Sequence, residues 1–490
     1  MKRINRFIFF AFIVMFLFSC NEERDDHNKG KTPPPTPSGP TAEQPIVPRK
    51  ELRGVWMATV WGLDWPMRKY DQASQKELYL KYLDLFKDNN INAVFFQVRG
   101  MADAYYASQY EPWSKSITGQ AGVAPGYDIL RFLIEEAHKR NIAFHAWINP
   151  YRISTRTGSD TSFPKLDSKI PANLVKDYNK IRIYNPALPA AQDRIVNIVK
   201  ELITKYNVDG VHMDDYFYPY LSSGEGMNDQ NEYATYGRAF NSIEEFRRDN
   251  VNKVVKKLHD MIKNTNPNLV FSIGPGGNIE NNMNLMFADV AKWSKEGWVD
   301  VIIPQLYFHT GNSIYNFDKG LARWSNMITK SKLVIGYGIY KFGDSKQGSA
   351  YMNSSELTKQ MRLADENPKV MGGLLYSAKY LFSNPVNIMS AIKQRYKEPV
   401  VMPYLLVEKP TLPNAPKNLK IMNDILHWDA VSGCYYAVYL STGSKRMAKL
   451  VATTKDNSVK LSRSGTYFVT AVNEKNNAES KISDLIKYGN

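Results

Sequence analysis

At 490 residues, with 43% hydrophobic and 12% aromatic side chains, the chain exceeds one ordinary domain and can bury a sizeable core. Its formal net charge of +15 is spread along helix-like segments such as Val251–Lys263, so it reads as solvated helix faces rather than a nucleic-acid patch. No nucleic-acid recognition module is visible, which excludes that partner class, and attraction to an anionic envelope surface is the milder meaning of the charge.

The chain opens on a targeting segment. Lys2, Arg3 and Arg6 precede an apolar run, Phe7 to Phe18, that is too short to span a bilayer as a stable helix. The run ends Leu17-Phe18-Ser19-Cys20, which resembles the lipobox of bacterial lipoproteins. That resemblance implies a signal peptide over residues 1–19, cleavage before Cys20 and a lipid on its sulfur, so the membrane is an expected partner through the anchor. Cys434 is the other cysteine, so no intramolecular disulfide is expected in the mature chain. Glu22, Glu23, Asp25 and Asp26 follow, and this acidic cluster resembles the surface-export signal of some Gram-negative lipoproteins. Outer-membrane residence is the expectation, with the leaflet left open.

Residues 20–48 read as a tether, because Lys31-Thr-Pro-Pro-Pro-Thr-Pro-Ser-Gly-Pro40 can form neither helix nor sheet. Over residues 49–400, strand-like runs alternate with helical ones. The predicted strands are Leu52–Val60, Asn92–Val98, Ile142–Ile148, Val208–Met213, Leu269–Ile273, Val299–Leu306, Leu333–Tyr337 and Val370–Tyr376. Helical periodicity marks Gln75–Asp88, Tyr127–Arg140, Ala190–Tyr206, Ile243–Asn264, Leu285–Lys295, Phe317–Thr329 and Ser355–Glu366. This alternation predicts an α/β fold, a (β/α)8 TIM barrel with enlarged loops. A doubly wound sheet competes, but no Gly-rich phosphate turn follows the first strand, and no cofactor is expected.

Residues 401–416, with three prolines between Tyr404 and Pro416, read as a linker. Residues 417–490 carry short β runs at Ile425–Trp428, Tyr435–Ser441, Val459–Leu461 and Thr466–Val472, which predict a small β-sandwich. Trp428 before a turn and Tyr467 opening a late strand resemble a fibronectin type III module. That part of the chain shows no catalytic constellation.

In a (β/α)8 barrel the site lies at the C-terminal strand ends, so polar residues there are the ones to collect. The second predicted strand ends on Gln97 and Arg99, with Asp103 and Glu111 in its loop. The third presents His145, Trp147 and Asn149 on one face, with Arg152 just beyond. The fourth runs into Asp214, Asp215 and Tyr216, with His212 and Asp214 on one face and Val211 and Met213 on the other. The sixth ends on Gln305 and Tyr307. Four strand ends bearing acids, amides, imidazoles and aromatics suit glycoside hydrolysis, which needs two carboxyl groups flanking the scissile bond and donors for sugar hydroxyls. Asp214 is the natural nucleophile or base. Asp103, Glu111, Asp215 and Glu280 are alternatives for the acid, and adjacent carboxylates point apart on an extended backbone. Arg99, His145, Asn149, Arg152, His212, Tyr216, Gln305 and Tyr307 are the expected polysaccharide contacts. Arg99 neutralising Asp214 or Asp103 and His145 buried in the barrel are the structural alternatives.

Leu52-Arg-Gly-Val-Trp56, Leu63-Asp-Trp-Pro66, Glu111-Pro-Trp-Ser114, Glu136-Ala-His-Lys-Arg140, His145–Arg152 and Asp209–Pro219 together resemble the glycosyl-hydrolase-like family 10 of bacterial envelope proteins. The likeness covers roughly Leu52 to Arg395. It implies a TIM barrel, often on a lipoprotein, and a link to cleavage of peptidoglycan glycan strands. Gly210-Val-His-Met-Asp214 also resembles the nucleophile motif of α-amylase-type barrels, although His212 stands where arginine is usual. The acid of that clan does not transfer, since Ser272-Ile-Gly-Pro-Gly-Gly277 follows the fifth strand and Glu280 lies further on.

Two rivals remain at this stage. A non-catalytic glycan-binding barrel would keep the groove without turnover. A metal-dependent deacetylase would need ligand histidines, and no His-x-x-x-His occurs among the seven; no metal is expected. Oligomeric state is left open.

The anchor has a direct test. Acyl chains contribute about 0.8 kcal/mol per buried methylene, so Cys20→Ala is expected to move the protein from the membrane fraction to the soluble one. Unchanged fractionation would remove the lipoprotein reading.

Overall fold

The computed structural model describes residues 45–156, 162–178, 180–214, 216–220, 228–441 and 447–489. Cys20, the signal peptide, most of the tether and Asp215 lie outside the described residues. Pro45–Asn490 forms one compact unit.

Eight parallel strands close a barrel: β1 (Leu52–Met57), β2 (Ala93–Arg99), β3 (Ala143–Ile148), β4 (Gly210–Asp214), β5 (Val270–Gly274), β6 (Val301–Ile302), β7 (Lys332–Tyr337) and β8 (Val370–Tyr376). Each pairs with its sequence neighbours, and β1 pairs with β8 to complete the ring. The eight expected strands are these eight. β6 is much shorter than its apolar run suggests, because Pro304 has no N–H to donate and the ladder breaks there. It resumes as single bridges from Gln305 to Gly276 and Gly336.

Side-chain alternation divides each strand between two cores. Val94, Phe96, Val211, Met213, Phe271 and Ile273 face outward into the layer shared with the helices. Leu52, Trp56, Phe95, Trp147, Ile303 and Leu374 face inward and fill the barrel. Helices begin where side chains cap them: Asp71 accepts from Ser74 N–H, Asp128 from Arg131 N–H and Ser242 from Glu245 N–H. Of the helix expected over Leu285–Lys295 only the second half forms, as Val290–Glu296; Phe287 at φ 54° lies between it and a separate short helix, Ile279–Asn284. After β3 the chain makes an excursion, a three-stranded antiparallel sheet of Arg152–Thr155, Val175–Tyr178 and Ile181–Tyr184, before the helix Pro189–Lys205.

Beyond the barrel, two antiparallel sheets form the C-terminal module. One has three strands, Lys420–Met422, Ile425–His427 and Ser458–Lys460; the other has four, Cys434–Ser441, Lys449–Thr454, Gly465–Asn473 and Ile486–Tyr488. The connection 401–416 has no regular secondary structure, yet its first residues are buried. Met402 and Leu405 join the inward-facing barrel cluster, while Val401 joins Tyr439, Phe468 and Val472 of the module. Prolines set the backbone here, and apolar side chains fix it to both neighbours.

Burial of Met402 and Leu405 is worth about 1.5–3 kcal/mol each. A chain ending at residue 410 is therefore expected to fold, whereas one ending at residue 400, without these two side chains, loses several kcal/mol. Urea unfolding of the two truncations measures the difference, and equal midpoints would show that the segment does not hold the barrel.

Candidate active site

The barrel interior is layered by strand register. His145 pairs with Gly210, and Trp147 with His212, across β3 and β4; His212 pairs with Ser272, and Asp214 with Gly274, across β4 and β5. Along β4 the inward residues therefore rise from Gly210 through His212 to Asp214 at the mouth. The lowest of these layers is closed. His145 stacks on Phe95 at 4.3 Å, and a side chain at position 210 would meet its Nδ1 at 2.4 Å. Gly210 is thus required by the imidazole that lies across it. Burial lowers the His145 pKa from 6.5 to about 4, so the ring is neutral.

One layer up, His212 is fixed through both nitrogens. Trp56 Nε1–H donates to His212 Nε2 at 3.0 Å, and His212 Nδ1 lies 2.9 Å from Ser272 Oγ. An indole nitrogen can only donate, so Nε2 must accept and the proton sits on Nδ1, directed at Ser272. Burial, reinforced by nearby His145, holds the His212 pKa well below its ordinary value. A neutral ring with both nitrogens engaged orients its neighbours.

The mouth is a cleft of about 440 Å³. Trp56, Leu63, Trp147, His212, Asp214, Tyr216, Gln305, Tyr307, Tyr340, Tyr376, Ser377, Lys379 and Tyr380 line it. Asp214 is the one carboxylate among these described residues, 8% exposed, and Gln305 Nε2 donates to its Oδ1 at 3.3 Å. Tyr307 stacks on Tyr376 at 5.9 Å, with Tyr340 edge-on to both. Arg152 lies 4.1 Å over the ring of Tyr216. Flat aromatic walls around one carboxylate and an amide are the equipment for holding sugar rings.

Behind the wall, Asp64 accepts from Ala58 N–H at 2.7 Å, Ser377 Oγ–H at 2.9 Å and Lys379 N–H at 3.1 Å. It ties the end of β1 to the residues after β8. Burial raises its pKa to about 6 against those hydrogen bonds.

Of the sequence-selected residues, the structure brings His212, Asp214, Tyr216, Gln305 and Tyr307 into the cleft, with Arg152 against Tyr216. Others are placed elsewhere. Arg99 and Glu111 form a bidentate pair at 2.6 and 2.7 Å, each 1% exposed. Burial opposes the charge on Arg99, but the Glu111 carboxylate outweighs it and holds the guanidinium charged. The structure thus engages Glu111 and Arg99 with each other, and neither lines the cleft. Asp103 accepts from Met101 N–H at 3.2 Å within its loop and does not line the cleft. Burial, the largest influence, raises its pKa. Asn149 spends its amide on Gly100 O at 3.0 Å, and His145 is sealed below. Glu280 is an exposed partner of Arg323, which lowers its pKa. Asp215 lies outside the described residues.

Sequence reasoning missed the wall contributed by Tyr340, Tyr376, Ser377, Lys379 and Tyr380. Their strands end in aromatics without acids. The end position of Tyr376 on its strand was the available signal.

With this geometry in view, comparison with known proteins is decisive. The Glycosyl hydrolase-like 10 family matches residues 51–353. The chain belongs to that family. Membership places it among the glycoside hydrolases, as the sequence motifs lead one to expect. It is 36% identical over 477 residues to the glycosyl hydrolase YngK of Bacillus subtilis, covering 89% of this chain and 92% of the relative. It is 34% identical over 407 residues to the glycosyl hydrolase DigH of Escherichia coli, covering 75% of this chain and 92% of that one. Among solved structures, the PgaB glycoside hydrolase domain from Bordetella bronchiseptica superposes with a TM-score of 0.48 at 13% identity, covering 71% of this chain and 98% of that domain.

The buried histidines imply a pH dependence. The folded protein keeps His145 neutral to about pH 4, whereas an unfolded chain protonates it near 6.5, so its contribution is complete above about 6.5 and is lost as pH falls towards 4. This amounts to about 3 kcal/mol. Urea unfolding at about pH 7 and about pH 4.5 is expected to show that loss, reduced in His145→Leu; an unchanged difference would place the acid sensitivity elsewhere.

Proposed function

We propose that this protein is a lipid-anchored glycoside hydrolase of the bacterial envelope that cleaves O-glycosidic bonds of a polysaccharide, with peptidoglycan glycan strands as the substrate. The observation that carries this reading is Asp214, a carboxylate at the end of β4 in a cleft walled by tryptophan and tyrosine. Sugar rings would lie against the aromatic faces, with their hydroxyls towards Gln305 and Lys379. Asp214 then stabilises the oxocarbenium-like charge or attacks it directly. Gln305 Nε2–H donates to its Oδ1 and so orients the carboxylate in the cleft. With Glu111, Asp103 and Glu280 placed away from the cleft, the leaving-group proton falls to Asp215, which requires the turn after β4 to fold back, since adjacent side chains on an extended strand point apart. Retention or inversion follows from how far the two carboxyl groups stand apart.

Cys20 would carry the lipid, the tether read over residues 20–48 the spacer, shortened at its end where Ile46 bridges to Met447, and the outer membrane would receive the anchor. The C-terminal module reads as a fibronectin type III-like spacer. In support, Tyr467 Oη–H donates to Arg463 O at 2.6 Å, a side chain closing on backbone just upstream as in a tyrosine corner, and Trp428 packs edge-on to Tyr436 at 5.2 Å.

Asp214→Asn keeps the shape and most hydrogen bonding while removing the charge. Turnover on purified glycan strands is expected to fall by at least about 10³-fold, roughly 4 kcal/mol of barrier, with glycan binding largely kept. Reducing-end release across a panel that includes peptidoglycan strands measures it. A fully active Asp214→Asn protein would remove this mechanism, and binding without turnover in the native protein would favour a glycan-binding barrel.

A further inference from the structure

The chain has nine tryptophans, and among the described residues one of them is exposed. Trp61 shows 61% of its surface to solvent. Its backbone is left-handed, with φ 55° and ψ 16°. A side chain with a Cβ pays a steric penalty there, and a large exposed apolar ring gains nothing from burial. The sequence bears two costs at one residue. Neither is explained by folding.

The position is specific. Trp61 lies in the short 3-10 turn Val60–Gly62 that follows β1, at the mouth end of the barrel, two residues before Leu63 of the cleft wall. The turn is rigid. Gln97 Oε1 accepts from Thr59 N–H at 3.0 Å and from Val60 N–H at 2.9 Å, and Thr59 Oγ–H donates to Gln97 O at 2.6 Å. Within the turn, Gly62 N–H donates to Thr59 O at 2.8 Å and Leu63 N–H to Val60 O at 3.2 Å. Asp64 pins the far side through Ala58 N–H. The backbone that carries the indole is therefore fixed at the mouth, which lowers the cost of presenting a stacking platform there.

We propose that Trp61 forms an outer sugar-binding subsite, stacking a ring of the same glycan whose scissile bond sits at Asp214. The occupant is a further sugar of the chain, because Trp61 stands exposed at the barrel mouth two residues from Leu63 of the cleft wall and because a neutral sugar face suits an uncharged indole. The cleft thereby handles polymer rather than a terminal unit alone. This inference rests on the cleft being a glycan site.

Trp61→Gly is the informative variant, since glycine adopts the left-handed backbone without penalty and the turn keeps its shape. kcat/KM is measured on short and long oligosaccharides cut from peptidoglycan glycan strands. Loss of the ring is expected to raise KM for the long ones by about three- to tenfold, the size of one stacking contact, so that the advantage of length shrinks; Trp61→Tyr restores part of it. Intrinsic tryptophan fluorescence, titrated with long strands in the Asp214→Asn background, gives a readout that needs no turnover. There Trp61→Gly is expected to weaken binding by a similar factor. An unchanged length dependence, or an equal fall in kcat at every length, would overturn the inference while leaving the cleft intact. If the native protein cleaves none of these glycans, the proposed reaction falls, and the fluorescence titration decides the platform by itself: weaker binding in Trp61→Gly upholds it, equal binding overturns it.

Discussion

The arrangement around the mouth hangs on one buried ion pair. Arg99, at the end of β2, grips Glu111 through two parallel hydrogen bonds and also donates to the carbonyls of Asn149 and Pro150 at the end of β3. Glu111 in turn accepts from Tyr184 of the excursion sheet at 3.3 Å, and Arg194 donates to the same hydroxyl at 3.0 Å. Two barrel strands, a long loop and the excursion are thus joined at one charge-neutral point. Removing either partner would strand the other charge without water, a penalty of about 3–5 kcal/mol. The chain that leaves this point reaches Arg152 three residues after Asn149, and Arg152 rests on Tyr216 in the cleft wall. The pair contributes to the site by positioning it from below.

This explains what could be seen in the sequence and what could not. Alternation is a local property, so Val211 and Met213 could be separated from His212 and Asp214 by parity alone, and the structure places them on those faces. Depth is not local. His145 and His212 both point inward from neighbouring strands, but register sets His145 level with Gly210, one layer beneath His212. The lower one is sealed and the upper one lines the cleft. Arg99 could be read as a substrate contact or as the neutraliser of Asp214 or Asp103, and Glu111 as an acid, because a sequence does not reveal that these two groups satisfy each other in the interior. The strands themselves were legible since eight apolar runs alternate with helical periodicity. The excursion after β3 was not, because its short strands carry mixed polar residues and pair only with one another.

The aromatic wall from the later strands follows the same logic. Tyr376 ends β8 and stacks on Tyr307 from the loop after β6, so residues separated by 69 positions become neighbours only when the ring closes. Strand ends that carry acids attract notice; those that end in tyrosine resemble ordinary core. In a cleft built for flat, hydroxyl-rich rings the second kind matters as much as the first.

The segment just ahead of β1 is fixed at two points. Ile46 bridges to Met447 of the C-terminal module, and Arg49 donates to the carbonyl of Val370, the first residue of β8. Arg49 therefore lies at the closed foot of the barrel, while Asp214 and Tyr376 stand at the opposite rim. Six strand steps of about 3.3 Å separate Val370 from Tyr376, so the two ends are about 20 Å apart. A label coupled to Arg49 itself would therefore report on the foot of the barrel and leave the rim unobstructed for an approaching polymer.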